Sequence, residues 1–130
     1  GLSIPFPLFN NGKAAVAQAR AQTDQAQALR RAAELDTAQD IASAQANVAN
    51  AATTARNASG PALASASEAA RIARIGYREG KFGQLDLLDA ERTLSETRTA
   101  AIDALATYHD AKARLERLVA AAPSPEETNQ

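Results

Sequence analysis

From Lys13 to about Asn57 the chain contains neither glycine nor proline, and alanine recurs through the whole run. Alanine loses no side-chain entropy in a helix, and the two residues that end helices are missing, so this segment is expected to be one long helix. A seam passes through Ala15, Ala19, Gln22, Ala26, Leu29, Ala33, Thr37, Ile41, Ala44, Val48, Ala51, Ala55 and Ala58. Its steps alternate between three and four, as in a coiled coil, except for consecutive fours from Leu29 to Ile41. The longer steps relax a left-handed supercoil toward straight helices. At 1.5 Å per residue the run is about 70 Å long, more than a small globular domain requires. Alanine also buries little area. Stability is therefore expected from extended, close helix contact and not from a bulky core.

Asn57-Ala58-Ser59-Gly60-Pro61 is expected to break this helix, since glycine suits the position after a helix end and proline the first turn of the next. The sequence reads here as the tip of a helical hairpin. A second helix is expected from about Pro61 to Glu79, with a stripe of Leu63, Ala66, Ala70, Ala73 and Tyr77, and with Ile72 and Ile75 on another face. A helix apolar on two faces has neighbours on two sides, as a stave in a tube does. Gly80 ends it, and Lys81-Phe82-Gly83 connects to a third helix running to about Ala121. Its expected seam is Leu87, Leu94, Ala101, Leu105, Tyr108, Leu115 and Val119. Asp86 and Asp89 fall in its first turns, where carboxylates suit the positive end of the helix dipole. Asp110 and Arg114 are spaced for a surface ion pair. The polar, proline-containing stretch from Pro123 to Gln130 is expected to be disordered.

At the other end, Leu2, Ile4, Phe6 and Leu8 alternate at period two and read as a strand, with Pro5 and Pro7 fit only for an edge. Asn10-Asn11-Gly12 reads as a turn, with Asn10 or Asn11 capping the long helix. No other strand is available as a partner, so the chain is expected to be a segment of a longer protein.

Several functions are excluded by what the residues can do. The 14 basic and 15 acidic residues are spread along the chain, without the basic stripe that phosphate contacts require, so no nucleic acid is expected as a partner. No cysteine is present to form disulfides. No run of about twenty apolar residues occurs, so no membrane-spanning helix is expected. No Gly-rich phosphate loop, HExxH or nucleophile elbow appears, and no nucleophile–base pair can be assembled, so an enzyme is not expected. His109 is the single histidine and lacks cysteine, methionine or histidine partners, so neither a metal site nor a cofactor is expected.

Two stretches carry a resemblance. One is Ser3-Ile4-Pro5-Phe6-Pro7-Leu8-Phe9-Asn10-Asn11-Gly12. The other runs Gly76-Tyr77-Arg78-Glu79-Gly80-Lys81-Phe82-Gly83-Gln84-Leu85-Asp86-Leu87-Leu88-Asp89-Ala90-Glu91-Arg92-Thr93-Leu94. In this order and spacing they resemble the TolC-like outer-membrane factor family, in wording nearest its heavy-metal-efflux branch. The stretch at Ser3–Gly12 is similar to a barrel strand exiting into a periplasmic helix. The stretch at Gly76–Leu94 is similar to the equatorial turn of the family's last helical repeat.

The resemblance implies an all-α hairpin with a third helix continuing the return leg, and a homotrimer with a twelve-stranded barrel in the outer membrane and a helical tunnel across the periplasm. Residues 1–12 would end a barrel strand, 13–121 would belong to the tunnel, and 122–130 would be the tail. It further implies a passive export conduit for metal ions or drugs, driven by an inner-membrane pump and joined to it by a periplasmic adaptor. Arg56, Asn57, Ser59, Gly60 and Pro61 would form the adaptor-docking tip, and Gly76, Tyr77 and Gly80 the equatorial turn. An intact member has two such repeats and four strands, and this chain carries only part of that. A periplasmic adaptor hairpin and a free-standing structural coiled coil are the alternatives. The adaptor reading lacks its β-rich flanks here, and the coiled-coil reading leaves the barrel-strand motif unexplained.

Overall fold

The computed structural model describes Gly1 and residues 8–124. Helix α1 spans Leu8–Asn57, a π-helical turn follows at Ala58–Ala62, α2 spans Leu63–Arg78 and α3 spans Gln84–Ala121. No strand occurs among the described residues. The all-α class and the helical hairpin are as the sequence implies, and α1 is unbroken across its glycine- and proline-free run.

The helix begins earlier than expected. Leu8 through Gly12 are helical, so Asn10-Asn11-Gly12 is not a turn and the long helix does not start at Lys13. One glycine costs a helix only about 1 kcal/mol relative to alanine, too little to stop propagation from an alanine-rich body. The rest of the expected strand, Leu2 to Pro7, and the tail from Pro125 lie outside the described residues.

The chain divides into two compact units, Gly1–Gln39 and Asp40–Gln130. In the first unit, the described side chains of α1 are exposed apart from the half-buried Thr37, and these include Val16, Leu29 and Leu35. Thr23 donates to the Ala19 carbonyl at 2.9 Å, and Arg30 pairs with Glu34 at 3.5 Å.

The second unit is an antiparallel hairpin. Its outgoing leg is the end of α1, the π turn and α2, and its return leg is α3. Arg74 faces Glu91, and Ala66 and Ala70 pack on Leu94. Farther from the reversal, Ala52, Ala55, Arg56 and Ser59 line one groove with Leu105 and Tyr108. Farther still, Ala44 and Asn47 line another with Thr107, Asp110, Ala111, Arg114 and Arg117. Positions falling along one leg meet positions rising along the other.

The seam of the outgoing leg is Ile41, Ala44, Val48, Ala51, Ala55 and Ala58, then Leu63, Ala66, Ala70, Ala73 and Gly76, all buried or half-buried. On α3 it is Leu94, Thr97, Ala101, Ala104, Tyr108, Ala111, Leu115 and Leu118, in unbroken steps of three and four. Ala70 is fully covered and Leu94 is 2% exposed. Two expected members, Leu105 and Val119, point outward instead, and Ala104 and Leu118 take their places. Asp110 and Arg114 form no ion pair; Arg92 and Glu96, also four apart, do so at 2.8 Å. Leu94→Ala is expected to lower stability by about 2–4 kcal/mol, because the small residues around it cannot close the cavity. Denaturant unfolding followed by circular dichroism reads this directly.

At Gly60-Pro61 the expected helix end does not occur. The backbone widens into the five-residue π turn, with Pro61 inside it, and both flanking residues, Asn57 and Leu63, keep right-handed helical angles. Proline lacks the N–H that would bond back one turn, and its ring crowds the carbonyl four residues earlier. A wider turn relieves that crowding, so the chain continues in helix and does not reverse. The widening also serves the seam. Five residues of α-helix rotate about 500°, which would carry Leu63 off the face of Ala58. An i→i+5 turn takes up about one residue more and keeps the two in line. Gly60 and Pro61 together cost about 4 kcal/mol relative to alanines in a helix interior.

Candidate functional site

The chain reverses at Glu79–Gly83, between α2 and α3. Gly80 has φ of 71°, a left-handed conformation that costs side-chain-bearing residues about 1–2 kcal/mol. The Gly80 N–H donates to the Tyr77 carbonyl at 3.0 Å and the Lys81 N–H to the Gly76 carbonyl at 2.8 Å. These two bonds make a Schellman motif, which satisfies the last carbonyls of α2. The Phe82 N–H donates to the same Gly76 carbonyl at 3.1 Å, and the Phe82 ring lies over the Gly76 α-carbon so closely that a β-carbon there would overlap it. Gly80 therefore supplies a dihedral angle, and Gly76 supplies room for a ring.

Helix α3 starts from Gly83, whose backbone is extended. The Asp86 carboxylate accepts the Gly83 N–H at 2.9 Å, satisfying one orphan donor and placing negative charge at the positive end of the helix. One turn farther, Arg74 of α2 clamps Glu91 of α3 through two hydrogen bonds, the Nη2–Oε2 one at 2.9 Å. Those bonds hold the Glu91 carboxyl below its ordinary 4.5. Partial desolvation opposes the shift, and the charges of Arg74 and Arg98 reinforce it. A lowered folded value means that the clamp contributes fully above pH 4.5 and is lost as pH falls through the lowered value. Both groups face solvent, so the stability change is expected to be small. A carboxyl NMR titration is the sensitive readout, with the Glu91 midpoint expected to lie below 4.5 and to return toward it in Arg74→Gln.

Around this framework the end of the hairpin leaves apolar surface uncovered. Phe82 sits at one wall of a shallow groove formed with Ala69, Ile72, Ala73 and Asp86. Leu85 and Leu88, three apart on one face of α3, are 81% and 55% exposed, and Tyr77 and Ile72 are also exposed. Glu79 and Lys81 pair at 2.7 Å beside the turn.

The residues expected to form a docking tip stand elsewhere. Arg56, Asn57, Ser59, Gly60 and Pro61 lie midway along the outgoing leg, where Arg56 donates to the Ala52 carbonyl at 3.3 Å and Ser59 to that of Ala55 at 2.6 Å. Gly76, Tyr77 and Gly80, expected as an equatorial turn, lie at the reversal between α2 and α3. Phe82, Leu85 and Leu88 are not singled out by the sequence pattern. Their only signal is a glycine closing one amphipathic helix, then leucines off the seam of the next. His109 is exposed with its ring tilted against that of Tyr108, the centroids 5.3 Å apart. Among the described residues no three His, Cys, Asp or Glu side chains converge as a metal site would need, and no helix is long and apolar enough to cross a membrane.

The described residues form an alanine-seamed helical hairpin with a capped, apolar end. Residues 1–121 match the family described as outer membrane efflux protein, and the chain belongs to that family. Among characterised proteins it is similar to the cobalt-zinc-cadmium resistance protein CzcC of Cupriavidus metallidurans, with 29% identity over 119 residues. That match covers 92% of this chain and 28% of the relative, so the chain spans well under a third of the relative's length. The heavy-metal wording of the motif and this relative agree. No solved structure is significantly similar to the chain.

Proposed function

We propose that this chain is a helical section of an outer-membrane efflux channel subunit, a passive conduit whose energy comes from an inner-membrane pump. It works as part of a homotrimer, with the barrel of the full subunit in the outer membrane and this section mostly in the periplasm. The observation that carries this reading is the hairpin end. A reversal closed by a Schellman motif and a Phe82–Gly76 contact is rigid, yet Phe82, Leu85 and Leu88 around it face solvent. A rigid end with bare apolar residues suits a partner that packs on it, and the partner proposed is the periplasmic adaptor. Docking is assigned to this end and not to Arg56–Pro61, because the role belongs to wherever the hairpin turns.

The exported substrate proposed is a divalent metal cation, in keeping with the relative named for cobalt, zinc and cadmium resistance. A conduit needs no tight ligand set, since tight binding slows release. Leu85→Asp with Leu88→Asp, introduced into the full-length protein, tests the docking role. Both side chains are largely exposed, so packing within the hairpin is preserved. Metal tolerance is expected to fall to that of cells lacking the gene, with the amount of trimer in the outer membrane unchanged. Undiminished tolerance would overturn the assignment of docking to this end.

A further inference from the structure

We infer that the π turn at Ala58–Ala62 is a one-sided hinge, about which the hairpin end bends relative to the Asp40–Asn57 section of the same leg. Nothing in the static fold requires a glycine at Gly60. Its φ is not positive, and a β-carbon built on it meets nothing within 4 Å. Alanine would fit there at lower cost, yet the chain sets two helix-weakening residues side by side, Gly60 and Pro61, in a leg otherwise free of both from Lys13 to Ile75. Proline also removes one backbone donor from the turn, so fewer hydrogen bonds resist bending. Sharp bends in helices concentrate at prolines and π turns, and here the two coincide.

No residue of the turn is buried, and a groove beside it is lined by Ala52, Ala55, Arg56 and Ser59 with Leu105 and Tyr108. Opposite the turn, α3 has neither glycine nor proline anywhere between Gly83 and Pro123 and keeps its three-and-four seam. One leg is jointed and the other is a continuous strip, which confines the motion to bending and prevents the legs from separating. The five-residue seam step preserves the facing of both halves while they bend.

Spin-label distances test the hinge, and the absence of native cysteine makes labelling clean. One pair, Ala49→Cys with Ser65→Cys, spans the turn. A control pair, Thr93→Cys with His109→Cys, spans an equal number of residues on α3, and all four sites are exposed. Samples diluted with unlabelled protein exclude distances between copies. The distance distribution across the turn is expected to be at least about twice as broad as the control, and to narrow to the control width in Gly60→Ala/Pro61→Ala. Equal widths in the parent protein, or a width unchanged by the double substitution, would overturn the hinge.

Discussion

Gly76→Val will unfold this chain at markedly lower denaturant than the parent, and Phe82→Ala in the same molecule will restore much of the loss. The Phe82 ring occupies the space a side chain at position 76 would need, so valine must displace the ring or part the two legs beside the turn. Overpacking of this kind costs about 1–3 kcal/mol, and the better helix propensity of valine over glycine offsets only a small part of it. Removing the ring relieves the clash, so the two substitutions couple, with an interaction of at least about 1 kcal/mol in a double-mutant cycle. Additive effects would mean that Gly76 and Phe82 do not meet. Gly80→Val tests the other half of the turn. Its cost comes from a positive φ and not from crowding, so Phe82→Ala will not rescue it.

The purified chain is also expected to self-associate through its helices. In the first unit Val16, Leu29 and Leu35 are exposed along α1, and on the hairpin Ile102, Leu105 and Val119 are exposed on α3. Contiguous bare apolar surface is unfavourable in water, and alanine-rich helices gain most when they pack along their length. Gel filtration with light scattering at tens of micromolar should return at least twice the 13.6 kDa chain mass. Ile102→Glu with Leu105→Glu should shift the distribution toward monomer without loss of helix content. A parent chain that stays monomeric would show that these faces need no cover.

The seam of the outgoing leg is legible in the sequence because its steps constrain it twice over. From Ile41 to Ala58, residues spaced three and four apart on a glycine-free helix can share only one face, and those residues are the covered ones. On α3 the same reasoning slips at two places. Leu105 is more apolar than Ala104, and Val119 and Leu118 are both apolar, yet the rhythm from Ala101 selects Ala104 and Leu118. At Ala104 the small side chain permits a closer approach to an alanine-lined partner. The reversal is harder to place. Gly60-Pro61 and Gly80 are both helix-ending signals, and a sequence carries no measure of which one the chain obeys. Packing decides. The seams on either side of Gly60-Pro61 continue in phase if one turn widens, whereas Gly80 stands where the two seams end. The proposed docking end follows the turn, and Arg56–Pro61 lies along the outgoing leg and not at the reversal. Leu85 and Leu88 are marked in the sequence only by standing off the α3 seam, because an exposed leucine resembles a core leucine until the partner helix is in place.

The chain turns at Glu79–Gly83 and not at Asn57–Pro61, and one distance decides it. Spin labels at Thr53→Cys and His109→Cys, both exposed and on opposite legs, report how the legs are paired. Packed helix axes lie about 8–10 Å apart, so with the label arms the separation is expected below about 30 Å. A reversal at Asn57–Pro61 with α2 and α3 stacked end to end would carry His109 more than forty residues of helix away from Thr53, beyond about 60 Å at the standard rise. A distance near that larger value would contradict the hairpin described above and return the docking end to Arg56–Pro61.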